Sequence, residues 1–187
     1  MQTDSFILID DLINRLSAIT ERVERLKLLS PGEMNAKKSE KDWSLLECIE
    51  HLNLYGDFYL AEINKRIGAA PKSGRSGIFK SGMLGNYLAN LVKVENGKIK
   101  KMKTPSNMNP VNSCLTVSTI DKFLKQQDLL ISLLKQSNNI DLTKVKTSVA
   151  FTKFIRLRLG DTFRFMVNHI ERHVLQAERT QTRDPMI

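Results

Sequence analysis

The chain has 187 residues, of which 41% are hydrophobic and 26% charged, with nine glycines and five prolines; this excludes a disordered or collagen-like polypeptide and fits one domain over residues 1–187. Lysine and arginine outnumber aspartate and glutamate by 29 to 20, a net charge of +9, so nucleic acid, an anionic membrane and an anionic small molecule must each be weighed as partners. No stretch approaches the roughly 18 consecutive apolar residues of a spanning helix, which excludes an integral helical membrane protein and predicts a soluble one.

From Asp4 to Leu29, Ile9, Leu12, Ile13, Leu16, Ile19, Val23 and Leu26 recur at spacings of three and four, one buried stripe of a first helix. Ser30-Pro31-Gly32 ends it, and the polar stretch from Asn35 to Lys41 reads as a loop. Ser44-Leu45-Leu46-Glu47 is a capping-box pattern that opens a second helix, with Trp43 at the preceding position able to pack on Cys48. The stripe Leu45, Cys48, Ile49, Leu52, Tyr55, Tyr59 and Ile63 carries that helix to about Ile67, where Gly68 and Pro71 stop it.

Residues 68 to 115 hold six of the nine glycines and three prolines and read as a long connection. Within it Met83, Leu84, Tyr87, Leu88 and Leu91 share one face of a short amphipathic helix suited to covering the core. A third long helix spans Ser118 to about Gln136. Leu142 to Arg158 is β-branched and basic without clean alternation, and is expected to be an extended connection. The fourth helix runs from about Gly160 to Arg179, with Phe163, Met166, Val167, Ile170, Val174 and Ala177 inward. Four long amphipathic helices without a convincing strand pair predict an all-α four-helix bundle, and the long connection between helices two and three permits a topology other than simple up-down-up-down.

The chain has three histidines, all on these helices. His169 and His173 are four residues apart, so their rings project from one helix face at a spacing able to chelate an ion, and His51 could add a third imidazole from across the bundle. At about 100° per residue, His51 and His169 fall beside the apolar stripe of their helices, among Tyr55 and Phe58 on one and Phe165 and Gln176 on the other, the half-apolar lining of a small-molecule pocket. Histidines at this spacing also occur on helices with no metal, as hydrogen-bonded or surface residues. A zincin protease is disfavoured, because that chemistry needs Glu directly after the first histidine and this chain has Ile170; Glu171 is expected to face solvent. Glu47, one turn before His51, reads either as the capping-box acid or as a partner orienting the imidazole. Cys48 reads as a small buried hydrophobe or as a soft ligand.

Taken together, Trp43-Ser44 opening a helix, His51 eight residues after the tryptophan, Pro105 and Pro110 in the middle, and Leu159-Gly160-Asp161 leading into His169-x-x-x-His173 and Gln176 resemble the DinB-like superfamily over nearly the whole chain. The resemblance implies a four-helix bundle, frequently a homodimer, in which His51, His169 and His173 bind a divalent metal such as zinc or nickel. It also implies hydrolase chemistry, or transferase and isomerase chemistry using a low-molecular-weight thiol. Trp43, Glu47, Tyr55, Phe58, Phe165 and Gln176 are then candidates for the pocket or for support of the ligands.

The lysines from Lys93 to Lys103, with Lys144, Lys146, Lys153, Arg156 and Arg158, follow phosphates on one reading and form a solvated face on the other; the second is preferred, since no nucleic-acid motif and no interleaved aromatic accompanies them. The opening MQTDSFILIDD lacks a basic stretch and a long apolar run, and Cys48 and Cys114 form no CxxC pair, so no export signal and a cytoplasmic location are expected. The functional expectation is a three-histidine metalloenzyme acting on a small molecule, with a non-catalytic stress-response or binding module as the alternative, its histidines holding a structural ion or none.

Overall fold

The computed structural model describes residues 1–71, 77–111, 115–150 and 152–181. Strand β1 (Gln2–Asp4) runs into helix α1 (Ser5–Leu26), whose first amides are capped by the Asp4 carboxylate at 2.7 Å from the Phe6 nitrogen. Helix α2 (Pro31–Asn35) follows where a simple stop is expected from the sequence. Ser30 both follows the end of α1 and caps α2 in a reciprocal box with Glu33, and Pro31, with its φ already helical, takes the first position. Helix α3 (Leu45–Ala69) begins on the predicted capping box. Strand β2 (Ile78–Lys80), helix α4 (Met83–Leu91), helix α5 (Ser118–Gln136), strands β3 (Lys146–Val149) and β4 (Thr152–Arg158), and helix α6 (Leu159–Gln181) complete the order, with single 3₁₀ turns at Ser106–Met108 and Ser137–Asn139.

The fold is all-α in its mass, and each long helix packs on two others: α3 on α5 and α6, and α1 on α5 and α6. Of the long helices that follow one another in the chain, α3 and α5 are principal neighbours, whereas α1 and α3, and α5 and α6, are not, which the long connections permit. Leu12, Leu16, Leu45, Ile49, Tyr59, Ile63, Phe123, Phe163 and Val167 are completely buried between them. No described helix is long and apolar enough to cross a membrane.

Two antiparallel strand pairs correct the expectation of none. β1 pairs with β2 through Thr3 and Phe79, and β3 pairs with β4 across a register shift between Ser148 and Val149. The first pair has only three residues a side, and the bulge in the second breaks the alternation by which a strand is recognised.

Helix α4 is a second correction. The helix forms where expected and Leu88 packs on the core, but Met83, 94% exposed, Leu84 and Tyr87, 61% exposed, turn outward, while Gly85 and Ala89 are buried on α6. Small residues won this contact because it needs a close approach. A Cβ on Gly85 would lie 2.6 Å from Asp161 Cβ, and one on Gly160 would lie 2.5 Å from the Phe79 ring. Asp161, fully buried, accepts from Gly82 N at 2.8 Å, from Ser81 Oγ and from Arg164 Nη1 at 3.2 Å. Arg164 also donates to Asn86 and Asn90, and Asn168 donates to the Ala89 carbonyl at 2.9 Å. The start of α6 is thus bound along α4, which sets one wall of the site.

Candidate metal centre

Helix α3 carries His51 two turns inside its capped end, and α6 carries His169 and His173 one turn apart on the side that packs against α3. The three rings converge, with centroids 5.1 Å apart for His51 and His169, 4.5 Å for His51 and His173, and 4.6 Å for His169 and His173. Each offers a ring nitrogen within 4.8 Å of the other two. All three side chains are buried.

Hydrogen bonds fix two of the tautomers. His51 Nδ1 lies 2.6 Å from the Met108 carbonyl, which can only accept, so Nδ1 carries the proton and Nε2 keeps its lone pair. His173 Nδ1 lies 2.9 Å from Gln176 Oε1, and with the amide in this orientation it donates there, which leaves its Nε2 free to ligate. His51 Nε2 then faces His169 Nε2 at 3.2 Å, a contact that needs a proton or a cation to be favourable. Two tetrahedral zinc ligands, each about 2.05 Å from the ion, stand roughly 3.3 Å apart, so this separation suits a shared ion.

Electrostatics keep the rings neutral. Burial lowers the His51 pKa to about 4; the bond to Met108 opposes this and the Arg172 charge adds to it. His169 is held well below the ordinary histidine value by burial and then by His173, His51 and Arg172, and His173 likewise by burial and then by His51 and Arg172. Neutral imidazoles are the form that binds metal. Three nitrogen donors with no carboxylate among them can hold a borderline divalent ion.

The histidines open on a cleft of about 840 Å³, the size of a small-molecule site. Of the residues expected around them, Trp43, Tyr55, Phe165 and Gln176 line it. Trp43 covers His51 at 4.8 Å and His173 at 5.8 Å, Tyr55 lies 4.5 Å from His169, and Phe165 stacks on His169 at 5.5 Å. Two candidates stand elsewhere. Phe58 packs edge-on against Tyr59 and is not among the residues lining the cleft. Glu47 has one oxygen on Ser44 N at 2.8 Å and the other on Lys37 Nζ at 2.7 Å, so it is the capping acid and not the partner of His51. Cys48 is wholly buried and its thiol pKa is pushed up by burial, which disfavours the nucleophilic thiolate and makes it a packing residue. Glu171, expected in solvent, is half-buried and takes Arg15 of α1 at 2.6 Å.

Two partners of the histidines went unseen in the sequence. The Met108 carbonyl has no side-chain signature, because any residue supplies a carbonyl. Arg172 was visible beside His173, but its direction depends on how α6 meets the segment around Lys100.

The family model described as the DinB superfamily matches residues 15–177. No curated protein and no solved structure matches the chain.

Proposed function

Because the chain belongs to the DinB superfamily, we propose that it is an enzyme whose His51, His169 and His173 hold one divalent ion, zinc or nickel, at the floor of the cleft. The observation that carries the reading is the convergence of three buried, neutral imidazoles on a cavity large enough for a substrate. A divalent ion held there supplies Lewis acidity, which makes water or a thiol nucleophilic at neutral pH. Met108 and Gln176 keep two ligand nitrogens aimed, and Trp43, Tyr55 and Phe165 exclude water around them.

Asp42 is the one acid among the described residues lining the cleft, and it is exposed and already accepts from Ser39 at 2.8 Å. With no buried carboxylate to act as general base, transfer to or from a low-molecular-weight thiol is favoured over hydrolysis. The test is a zinc and nickel titration of protein purified without a chelating tag. One ion per chain is expected, with affinity reduced about 100-fold or more in each of His51→Ala, His169→Ala and His173→Ala. Tight binding unchanged in the three variants refutes the site.

The depth of the histidines also suits a non-catalytic module with a structural ion. Turnover of an electrophile by the loaded protein in the presence of a thiol separates the two readings.

A further inference from the structure

Helix α6 carries two buried arginines, and they differ in one respect. Arg164 is spent on Asp161, Ser81, Asn86 and Asn90. Arg172 is 5% exposed and donates from Nη2 to the Lys100 carbonyl, but its buried Nη1 has no partner among the described residues. An unpaired buried donor on a charged group is costly, and an acceptor that reaches it is correspondingly favoured.

What surrounds Arg172 points to the missing acceptor. It lines the same cleft as the three histidines, and its charge reaches each of them. Lys41, Lys100, Lys101, Lys103 and Arg179 line the cleft too, against Asp42 as the one acid among the described residues there. The segment bearing Lys100, Lys101 and Lys103 is held to α6, since Arg179 binds the Gly97 carbonyl and Arg172 that of Lys100. None of the four lysines is ion-paired among the described residues. A concave wall dominated by positive charge concentrates anions, and a guanidinium with an unpaired nitrogen takes a carboxylate or phosphate oxygen by geometry as well as charge. The enclosed floor and the lack of aromatics between the lysines favour a small molecule over a polynucleotide.

We infer that Arg172 anchors an oxyanion subsite, so that the small molecule taken by this cleft carries a carboxylate or phosphate group, held by Arg172 with Lys100, Lys101 and Lys103 at the entrance. This rests on the reading of the cleft as the substrate site of the metal centre. The anion fixes one end of the molecule and leaves the other to meet the histidines.

Calorimetric titration of the full chain, zinc-free and zinc-loaded, with succinate, inorganic phosphate and neutral succinamide tests it. Succinate or phosphate is expected to bind and succinamide not, and which anion binds more tightly tells carboxylate from phosphate. Arg172→Gln is expected to weaken anion binding tenfold or more in zinc-free as in zinc-loaded protein, and Arg172→Lys to weaken it at least threefold, because a point charge replaces the fork. Equal binding of succinamide, or no binding of either anion, overturns the inference. So does wild-type affinity in Arg172→Lys, which remains decisive if Arg172→Gln does not fold, and so does anion binding abolished by Lys100→Gln, Lys101→Gln and Lys103→Gln together yet indifferent to Arg172→Gln. Zinc affinity indifferent to His169→Ala alongside Arg172-dependent anion binding would sink the metal reading and leave the subsite standing.

Discussion

His51 is held by competing forces whose balance is readable in pH. Burial disfavours its imidazolium, the Met108 carbonyl favours it, and burial wins, leaving a pKa of about 4 in the metal-free fold against the usual 6.5. Below pH 6.5 the unfolded chain takes up a proton that the folded ring refuses. The stability contributed by the neutral ring is therefore complete above pH 6.5 and lost as the pH falls towards 4, and His169 and His173 act in the same direction. For His51 alone the loss is roughly 3 kcal/mol. Urea midpoints of chelator-treated protein at pH 7.5, 6 and 5 should fall in that order; a flat series contradicts the burial of the rings.

At the scale of elements, α4 shows a small-residue contact overriding an apolar pattern. Ordinary helix propensity favours alanine over glycine by about 1 kcal/mol, so Gly85→Ala in an isolated helix would stabilise. Here the added Cβ meets Asp161 Cβ at 2.6 Å, close to the backbone of a buried residue that cannot swing away. The substitution is expected to destabilise by about 1–3 kcal/mol, the range for overpacking, as a lowered urea midpoint with the slope unchanged. A raised midpoint would mean that α4 can shift along α6. Gly160 on α6 plays the equivalent part for β2, since a Cβ there would meet the Phe79 ring at 2.5 Å.

Across the whole molecule, Asp161 joins parts distant in the chain, since it binds the residues that open α4 and the arginine that holds α4 to α6. Asp161→Ala leaves the buried Arg164 without its carboxylate and should cost about 3–5 kcal/mol, the range for breaking a buried pair, read as a fall in melting temperature. Asp161→Asn, which keeps an acceptor, should lie between. Loss of α4 docking would also move one wall of the cleft, so the alanine variant is expected to weaken zinc binding without touching a ligand. Zinc at 100 times its Kd should stabilise the intact protein by roughly 2.7 kcal/mol, and chelator should remove that gain; a melting temperature indifferent to both would leave the histidines without an ion to hold.

Periodicity alone disclosed the four long helices, because burying one stripe of a helix forces apolar residues to recur every three or four positions, and the Ser44–Glu47 box marked the start of α3 because its hydrogen bonds are local. The likelihood of a shared site was written in His51, His169 and His173, since four residues on a helix bring two rings to one face whatever lies opposite. That His51 comes within 3.2 Å of His169, that a carbonyl from the connection orients it, that Glu47 turns to Lys37 and Phe58 to Tyr59, and that Arg172 Nη1 is left without a partner among the described residues, were decided by the packing of α3 against α6 and by the segment folded over them. Local rules fix which way a side chain leaves its own helix; only the relative placement of helices fixes what it meets.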